Sequence, residues 1–142
     1  MDDPYDLSRF TAAQDAGQTY QQATAELRRG RKTGHWMWFV FPQIAGLGSS
    51  DMSRYYAISS LDEARAYLAD PVLGPRLRET ASAVLEVGGR SAEQIFGPLD
   101  AKKVRSSMTL FHRAAPDEPV FAQVLDRFFG GVPDGATDDR LR

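Results

Sequence analysis

The residues best suited to chemistry lie between Lys32 and Ser50, in the run KTGHWMWFVFPQIAGLGSS. This stretch holds both tryptophans, a glycine-rich turn and His35, one of two histidines. Indole rings offer flat surfaces for stacking, and an imidazole can act as a general acid or base near neutral pH. Gln43, directly after the apolar run, adds a carboxamide that can hydrogen-bond the edge of a ligand. The stretch therefore predicts one wall of a ligand pocket, with His35 as the candidate catalytic residue.

A second group of candidates lies on the segment that begins at Pro98. Lys102, Arg105 and Ser106 recur at helical spacing, opposite an apolar stripe, and so predict a basic, hydroxyl-lined face that can receive phosphate. An ordinary solvated helix face is the other interpretation of the same pattern. With the aromatic stretch, the predicted ligand-binding residues are Lys32, Trp36, Trp38, Gln43, Ser49, Lys102, Arg105 and Ser106. They favour a small nucleotide-like or phosphorylated metabolite, with hydrolysis as a further hypothesis.

Other functions use the same residues differently. If Trp36 and Trp38 are exposed, they can anchor a protein partner without any catalysis, because tryptophan is a frequent interface residue. If they are buried, they are ordinary core aromatics. Binding of RNA or DNA through the basic run from Arg28 to Lys32 is disfavoured by the net charge of -2. Neither histidine shows the spacing typical of a metal site, so no metal and no cofactor are predicted.

Composition limits the class of protein. A chain of 142 residues with 42% hydrophobic and 25% charged residues has the size and balance of one globular domain. It contains no cysteine, which excludes disulfides and thiolate chemistry and fits a reducing compartment. The N-terminus is acidic, and the longest apolar run is far shorter than the ~20 residues that span a bilayer. We therefore expect a cytoplasmic protein without a membrane partner, and the sequence leaves a homo-oligomer open.

Helix start and stop residues recur along the chain. Candidate start positions are Asp6, Thr19, Ser60 with Glu63 as a capping box, Asp70-Pro71, Ser91, Pro98 and Asp117. Trp36 to Phe41 fits a short buried strand as well as a helix, and its helical surroundings favour the helix. The prediction is a mainly α fold of about seven short helices, with a single all-α domain over residues 1–131. Residues 132–142 are expected to form a loose polar tail.

Taken together, the motifs resemble a known bacterial family. They include His35-Trp36-Met37-Trp38-Phe39-x-Phe41-Pro42-Gln43, Gly46-Leu47-Gly48, Asp100-x-Lys102-x-x-Arg105-Ser106-Ser107-Met108-Thr109 and Phe128-Phe129-Gly130-Gly131. Over nearly the whole chain the pattern is similar to the bacterial domain-of-unknown-function family 1810. The resemblance implies a small, mainly α-helical, cytoplasmic domain. It implies no activity and supplies no catalytic residues, because the family is uncharacterised.

Overall fold

Helices dominate the computed structural model, which describes residues 3–142. They are α1 Ser8–Asp15, α2 Thr19–Arg28, α3 Met37–Val40, α4 Asp51–Tyr55, α5 Leu61–Ala69, α6 Leu73–Leu85, α7 Ala92–Phe96, α8 Pro98–Ala114, α9 Pro119–Phe129 and α10 Gly135–Arg140, with a 3-10 turn at Ala16–Gln18. The mainly α prediction is confirmed. The helices outnumber the seven or so expected because several, such as α3 with four residues and α4 with five, are single turns. No helix within residues 3–142 is long and apolar enough to cross a membrane.

The longest helix, α8, lies at the centre of the packing. It begins as predicted at Pro98, where the missing N–H of proline costs nothing because first-turn donors have no partner inside a helix. Val104, Met108 and Phe111 lie on its buried face. The helix packs against α5, α7, α9 and α10, so side chains on several of its faces are positioned by neighbours.

A chain of aromatic contacts joins the helices. The ring of Tyr67 on α5 lies 5.1 Å from Phe10 on α1 and 5.3 Å from Phe111 on α8. Phe111 continues the contact to Phe121 on α9 at 5.9 Å. These rings are fully buried, and aromatic pairs at such separations stabilise a core beyond their buried area.

The start of α1 differs from the prediction. Asp6 was expected to cap it, but the Asp3 carboxylate accepts hydrogen bonds from the backbone N–H groups of Leu7 at 2.7 Å and Ser8 at 3.0 Å. Asp6 instead adopts a left-handed conformation, with φ of 52°, which turns the chain into the helix. The prediction for Asp6 is wrong because a carboxylate five residues before the first residue of the helix can fold back onto its first turn. Ser60 and Ser91 do cap their helices.

The apolar run after His35 forms a single helical turn, α3, which confirms the helical interpretation. Pro42 follows the turn, and the chain then pairs briefly with the segment after α4. The Ile58 N–H donates to the Gln43 carbonyl at 2.8 Å, and the Ala45 N–H donates to the Ile58 carbonyl at 2.8 Å. These two bonds fix the backbone of Gln43.

The C-terminal residues do not form the loose tail that the sequence predicts. Residues 135–140 form α10, and Asp134 caps it by accepting a hydrogen bond from the Thr137 N–H at 3.0 Å. Arg113 on α8 forms an ion pair with Asp138 at 2.9 Å. The hydrogen bonds from Arg113 hold the pKa of the Asp138 carboxyl below its ordinary value. The physical reason for the difference is therefore a cap and an ion pair, neither of which requires apolar residues.

Candidate functional site

A cleft of about 280 Å³ lies where the turn after α3 meets the start of α8 and the start of α10. It is lined by Gln43, Leu47, Gly48, Ser53, Leu99, Lys102, Lys103, Ser106, Asp134 and Ala136. Three of the predicted ligand-binding residues, Gln43, Lys102 and Ser106, therefore come together around one concave volume.

Of the two lysines that line the cleft, only Lys103 forms an ion pair with a described residue. Lys103 lies 3.3 Å from a carboxylate oxygen of Asp100, and its ammonium group sits 5.1 Å from the ring centre of Trp38. Lys102 is exposed and forms no ion pair with any residue from 3 to 142. Because its charge is not used within this part of the chain, Lys102 is the cation best placed to receive an anionic ligand.

Ser106 and Asp134 form the polar floor of the cleft. The Ser106 hydroxyl lies 3.0 Å from Oδ2 of Asp134 and 3.1 Å from the carbonyl oxygen of Lys102. Oδ2 also accepts from the backbone N–H of Thr137 at 3.0 Å and from its hydroxyl at 2.5 Å. In the part of the chain that the structure describes, Oδ1 of Asp134 accepts no hydrogen bond. Oδ2 of Asp134 thus stabilises the fold, whereas Oδ1 can still accept a hydrogen bond.

The opposite wall comes from the glycine-rich turn and α4. A Cβ atom on Gly48 would lie 2.5 Å from the Ser53 hydroxyl, so only glycine allows the turn to approach α4 this closely. Ser50 caps α4, and its hydroxyl donates to that of Ser53 at 2.8 Å. The Gln43 side chain makes no hydrogen bond to the described residues, which leaves its carboxamide free to contact a ligand.

Lys32 and Trp36 have structural partners instead of a place in the cleft. Trp36 is only 1% exposed, and its indole N–H donates to Oε1 of Glu26 at 3.0 Å. The Lys32 ammonium group lies 2.8 Å from Asp100 and donates to the Gly34 carbonyl at 2.6 Å. A ring buried to this degree cannot stack on a ligand. Trp38 is partly buried behind Lys103.

The remaining predicted residues, His35, Ser49 and Arg105, do not line the cleft. His35 is exposed just before α3, and Ser49 is exposed in the turn beside Gly48. Arg105 donates to the carbonyl oxygens of Val132 at 2.9 Å and Pro133 at 3.0 Å. Its guanidinium group therefore holds the C-terminal segment against α8, which positions Asp134.

Several residues of the cleft were missed by sequence reasoning. Ser53, Leu99, Lys103, Asp134 and Ala136 were not candidates, although Asp134-Gly-Ala-Thr137 has the pattern of a helix start. That pattern would have predicted α10 and, with it, the second wall of the cleft.

Glu26 was also missed, and it organises the segment before α3. Its Oε1 accepts hydrogen bonds from the backbone N–H groups of Thr33 at 2.7 Å and Gly34 at 2.8 Å, in addition to the Trp36 indole. Burial alone would raise the pKa of this carboxyl, but the N–H donors outweigh it and hold the pKa below the ordinary value. Glu26 is therefore a buried carboxylate with a structural role.

Comparison with known proteins gives two matches. A family model described as "Protein of unknown function (DUF1810)" matches residues 4–141. A crystal structure of a conserved hypothetical protein from Mycobacterium tuberculosis is 52% identical in sequence, covers 98% of both chains and superposes with a TM-score of 0.95. A search of curated proteins found no match.

Proposed function

Because the chain belongs to the DUF1810 family of proteins of unknown function, no activity comes with the fold, and we propose from the cleft that the protein binds a small phosphorylated metabolite. The observation that carries this proposal is the unpaired ammonium group of Lys102 at a concave site with hydroxyl and carboxamide groups. Hydrogen bonds from a cation to phosphate oxygens are about twice as strong as those between neutral groups.

The size and lining of the cleft narrow the ligand class. A volume of about 280 Å³ is slightly below the ~300–1,000 Å³ typical of ligand pockets, so it suits a phosphate on a short carbon skeleton. Leu47 and Leu99 supply apolar contacts, and Leu99 is 74% exposed at the rim. A nucleotide has less support, because Trp36 is buried and Trp38 does not line the cleft.

The proposal covers ligand binding and does not include catalysis. His35, the candidate for hydrolysis, is exposed outside the cleft, and no lining residue is a histidine. Protein docking through the Trp36 and Trp38 segment also has less support, because the buried Trp36 ring has no surface to offer a partner.

Calorimetry with inorganic phosphate and methyl phosphate at low ionic strength tests the proposal. Wild-type protein is expected to bind methyl phosphate, and Lys102→Gln is expected to weaken binding about tenfold, because one charge-assisted hydrogen bond is lost. Arg29→Gln is the matched control, since Arg29 is exposed and the substitution removes the same charge outside the cleft. Equal affinity in wild type and Lys102→Gln would refute the proposal, as would the absence of binding.

A further inference from the structure

We infer that the phosphorylated ligand carries hydroxyl groups, as a sugar phosphate or polyol phosphate does, and that Oδ1 of Asp134 accepts a hydrogen bond from one of them. This inference rests on the proposed function, because it assumes that the phosphate binds near Lys102. It assigns the specificity of the same cleft to Asp134, which forms part of its polar floor.

The cleft carries side chains of both charges. Lys102, Lys103 and Asp134 line the same cleft, yet neither lysine forms an ion pair with Asp134 in the described chain. Lys103 pairs with Asp100 instead. A ligand that was anionic at both ends would place negative charge against Asp134, which is unfavourable. A ligand with a phosphate for Lys102 and a hydrogen-bond donor for Asp134 is compatible with both side chains.

The two oxygens of the Asp134 carboxylate differ in their hydrogen bonds. Three donors already contact Oδ2, namely the Ser106 hydroxyl and the N–H and hydroxyl of Thr137. These three neutral donors stabilise the carboxylate within the fold without a cation. Oδ1 still has its hydrogen-bonding capacity, and a neutral hydroxyl can satisfy it. Gln43, which offers both a donor and an acceptor, can contact a second hydroxyl.

The substitution Asp134→Asn separates specificity from folding. Asparagine caps a helix about as well as aspartate, so its oxygen can keep the bonds to Thr137 and the fold is expected to survive. An NH2 group then replaces Oδ1, which turns an acceptor in the cleft into a donor. A ligand hydroxyl loses its acceptor, whereas the Lys102 side chain is unchanged.

Three probes of similar length distinguish the possibilities by calorimetry. Glycerol 1-phosphate carries two hydroxyls, propyl phosphate carries none, and phosphoethanolamine carries an ammonium group. Wild-type protein is expected to bind glycerol 1-phosphate at least tenfold more tightly than propyl phosphate. Asp134→Asn is expected to abolish this preference and to bind propyl phosphate at least as tightly as wild type, because the substitution removes a negative charge from the cleft. Asp117→Asn, at an exposed position outside the cleft, is the matched control and is expected to keep the preference.

Each outcome distinguishes the inference from the proposed function. If wild type binds glycerol 1-phosphate and propyl phosphate equally, and Lys102→Gln weakens both, the inference fails and the proposed function stands. If phosphoethanolamine binds most tightly and Asp134→Asn removes that advantage, the ligand carries an ammonium group and the hydroxyl inference is overturned. If no probe binds to folded wild-type protein, both fail. A urea melt of Asp134→Asn that matches wild type excludes unfolding as the cause of lost preference.

Discussion

Replacing Glu26 by glutamine would test whether a buried carboxylate holds the segment that leads into α3. Glu26 is 6% exposed, and its Oε1 accepts three hydrogen bonds, at 2.7, 2.8 and 3.0 Å. Glutamine keeps an oxygen of the same position and size but removes the charge. The substitution therefore changes the strength of three hydrogen bonds and leaves their number the same.

The size of the effect follows from the strength of these bonds. A hydrogen bond to a charged group contributes about 1.5–3 kcal/mol to stability, and one between neutral groups contributes about 0.5–1.5 kcal/mol. The difference is about 1 kcal/mol per bond, but three bonds to one oxygen are not independent. The neutral amide is also less costly to bury than the carboxylate. We expect Glu26→Gln to lower the free energy of unfolding by about 2 kcal/mol at pH 7.

The stability that the Glu26 carboxylate contributes depends on pH. The pKa of the Glu26 carboxyl is lowered in the folded protein from an ordinary value of 4.5, so the folded state binds fewer protons than the unfolded state near that pH. The contribution of the carboxylate is therefore complete above the unfolded pKa and is lost as the pH falls through the folded pKa. Wild type and Glu26→Gln should differ at pH 7 and converge in acid.

Urea denaturation at pH 7 and pH 3.5, followed by tryptophan fluorescence and circular dichroism, measures both quantities. Trp36 reports directly on the site because its indole N–H donates to Glu26. Glu86→Gln is the control, since Glu86 is exposed and forms no ion pair with the residues that the structure describes. The reasoning is wrong if Glu26→Gln is as stable as wild type at pH 7, or if the same deficit persists at pH 3.5.

Three further substitutions and one truncation have distinct expected outcomes. Ser107→Ala should raise the free energy of unfolding by about 1 kcal/mol, because the Ser107 hydroxyl is buried without a hydrogen-bond partner; a urea melt showing lower stability would contradict this. Gly74→Ala should cost about 3 kcal/mol, because its Cβ would lie 2.1 Å from the Leu68 carbonyl oxygen. Gly88→Ala, whose Cβ would meet nothing within 4 Å, should change stability by less than about 1 kcal/mol in the same melts. Removing residues 135–142 should cost about 2 kcal/mol and speed amide exchange in α8, whereas a loose tail would change neither.

Most helices could be predicted because their boundaries depend on residues a few positions apart. Ser60 and Ser91 accept hydrogen bonds from the N–H groups of Glu63 and Gln94, three residues ahead, and Pro98 opens α8 by its own geometry. Asp6 was predicted wrongly because two acidic residues lay within reach of the same helix start. The choice of Asp3 depends on the left-handed turn at Asp6, which sequence periodicity does not reveal.

The face of α8 that carries Ser106 and Thr109 could not be assigned from its own spacing. Its polar residues are typical of a solvated face, yet Thr109 is fully buried and Ser106 is 5% exposed. They are covered by polar groups 25 and 28 residues later, because the Asp134 N–H donates to the Thr109 hydroxyl and its carboxylate contacts Ser106. Contacts between polar groups leave no hydrophobic periodicity in either segment. The sequence of α8 therefore does not indicate that Asp134 covers it, and the sequence around Asp134 does not indicate that it packs on α8.

Lys32 and Lys102 show how a cation with partners in the fold differs from one without them. Both were candidates, and both are cations near the same end of α8. The hydrogen-bonding capacity of Lys32 is used by Asp100 and the Gly34 carbonyl, whereas within residues 3–142 the charge of Lys102 has no partner. A charge that the fold does not use contributes little to stability, so Lys102, which lines the cleft with Gln43 and Asp134, can be substituted to test ligand binding without loss of the fold. The sequence shows which residues can bind, and only the structure shows which of them still have binding capacity.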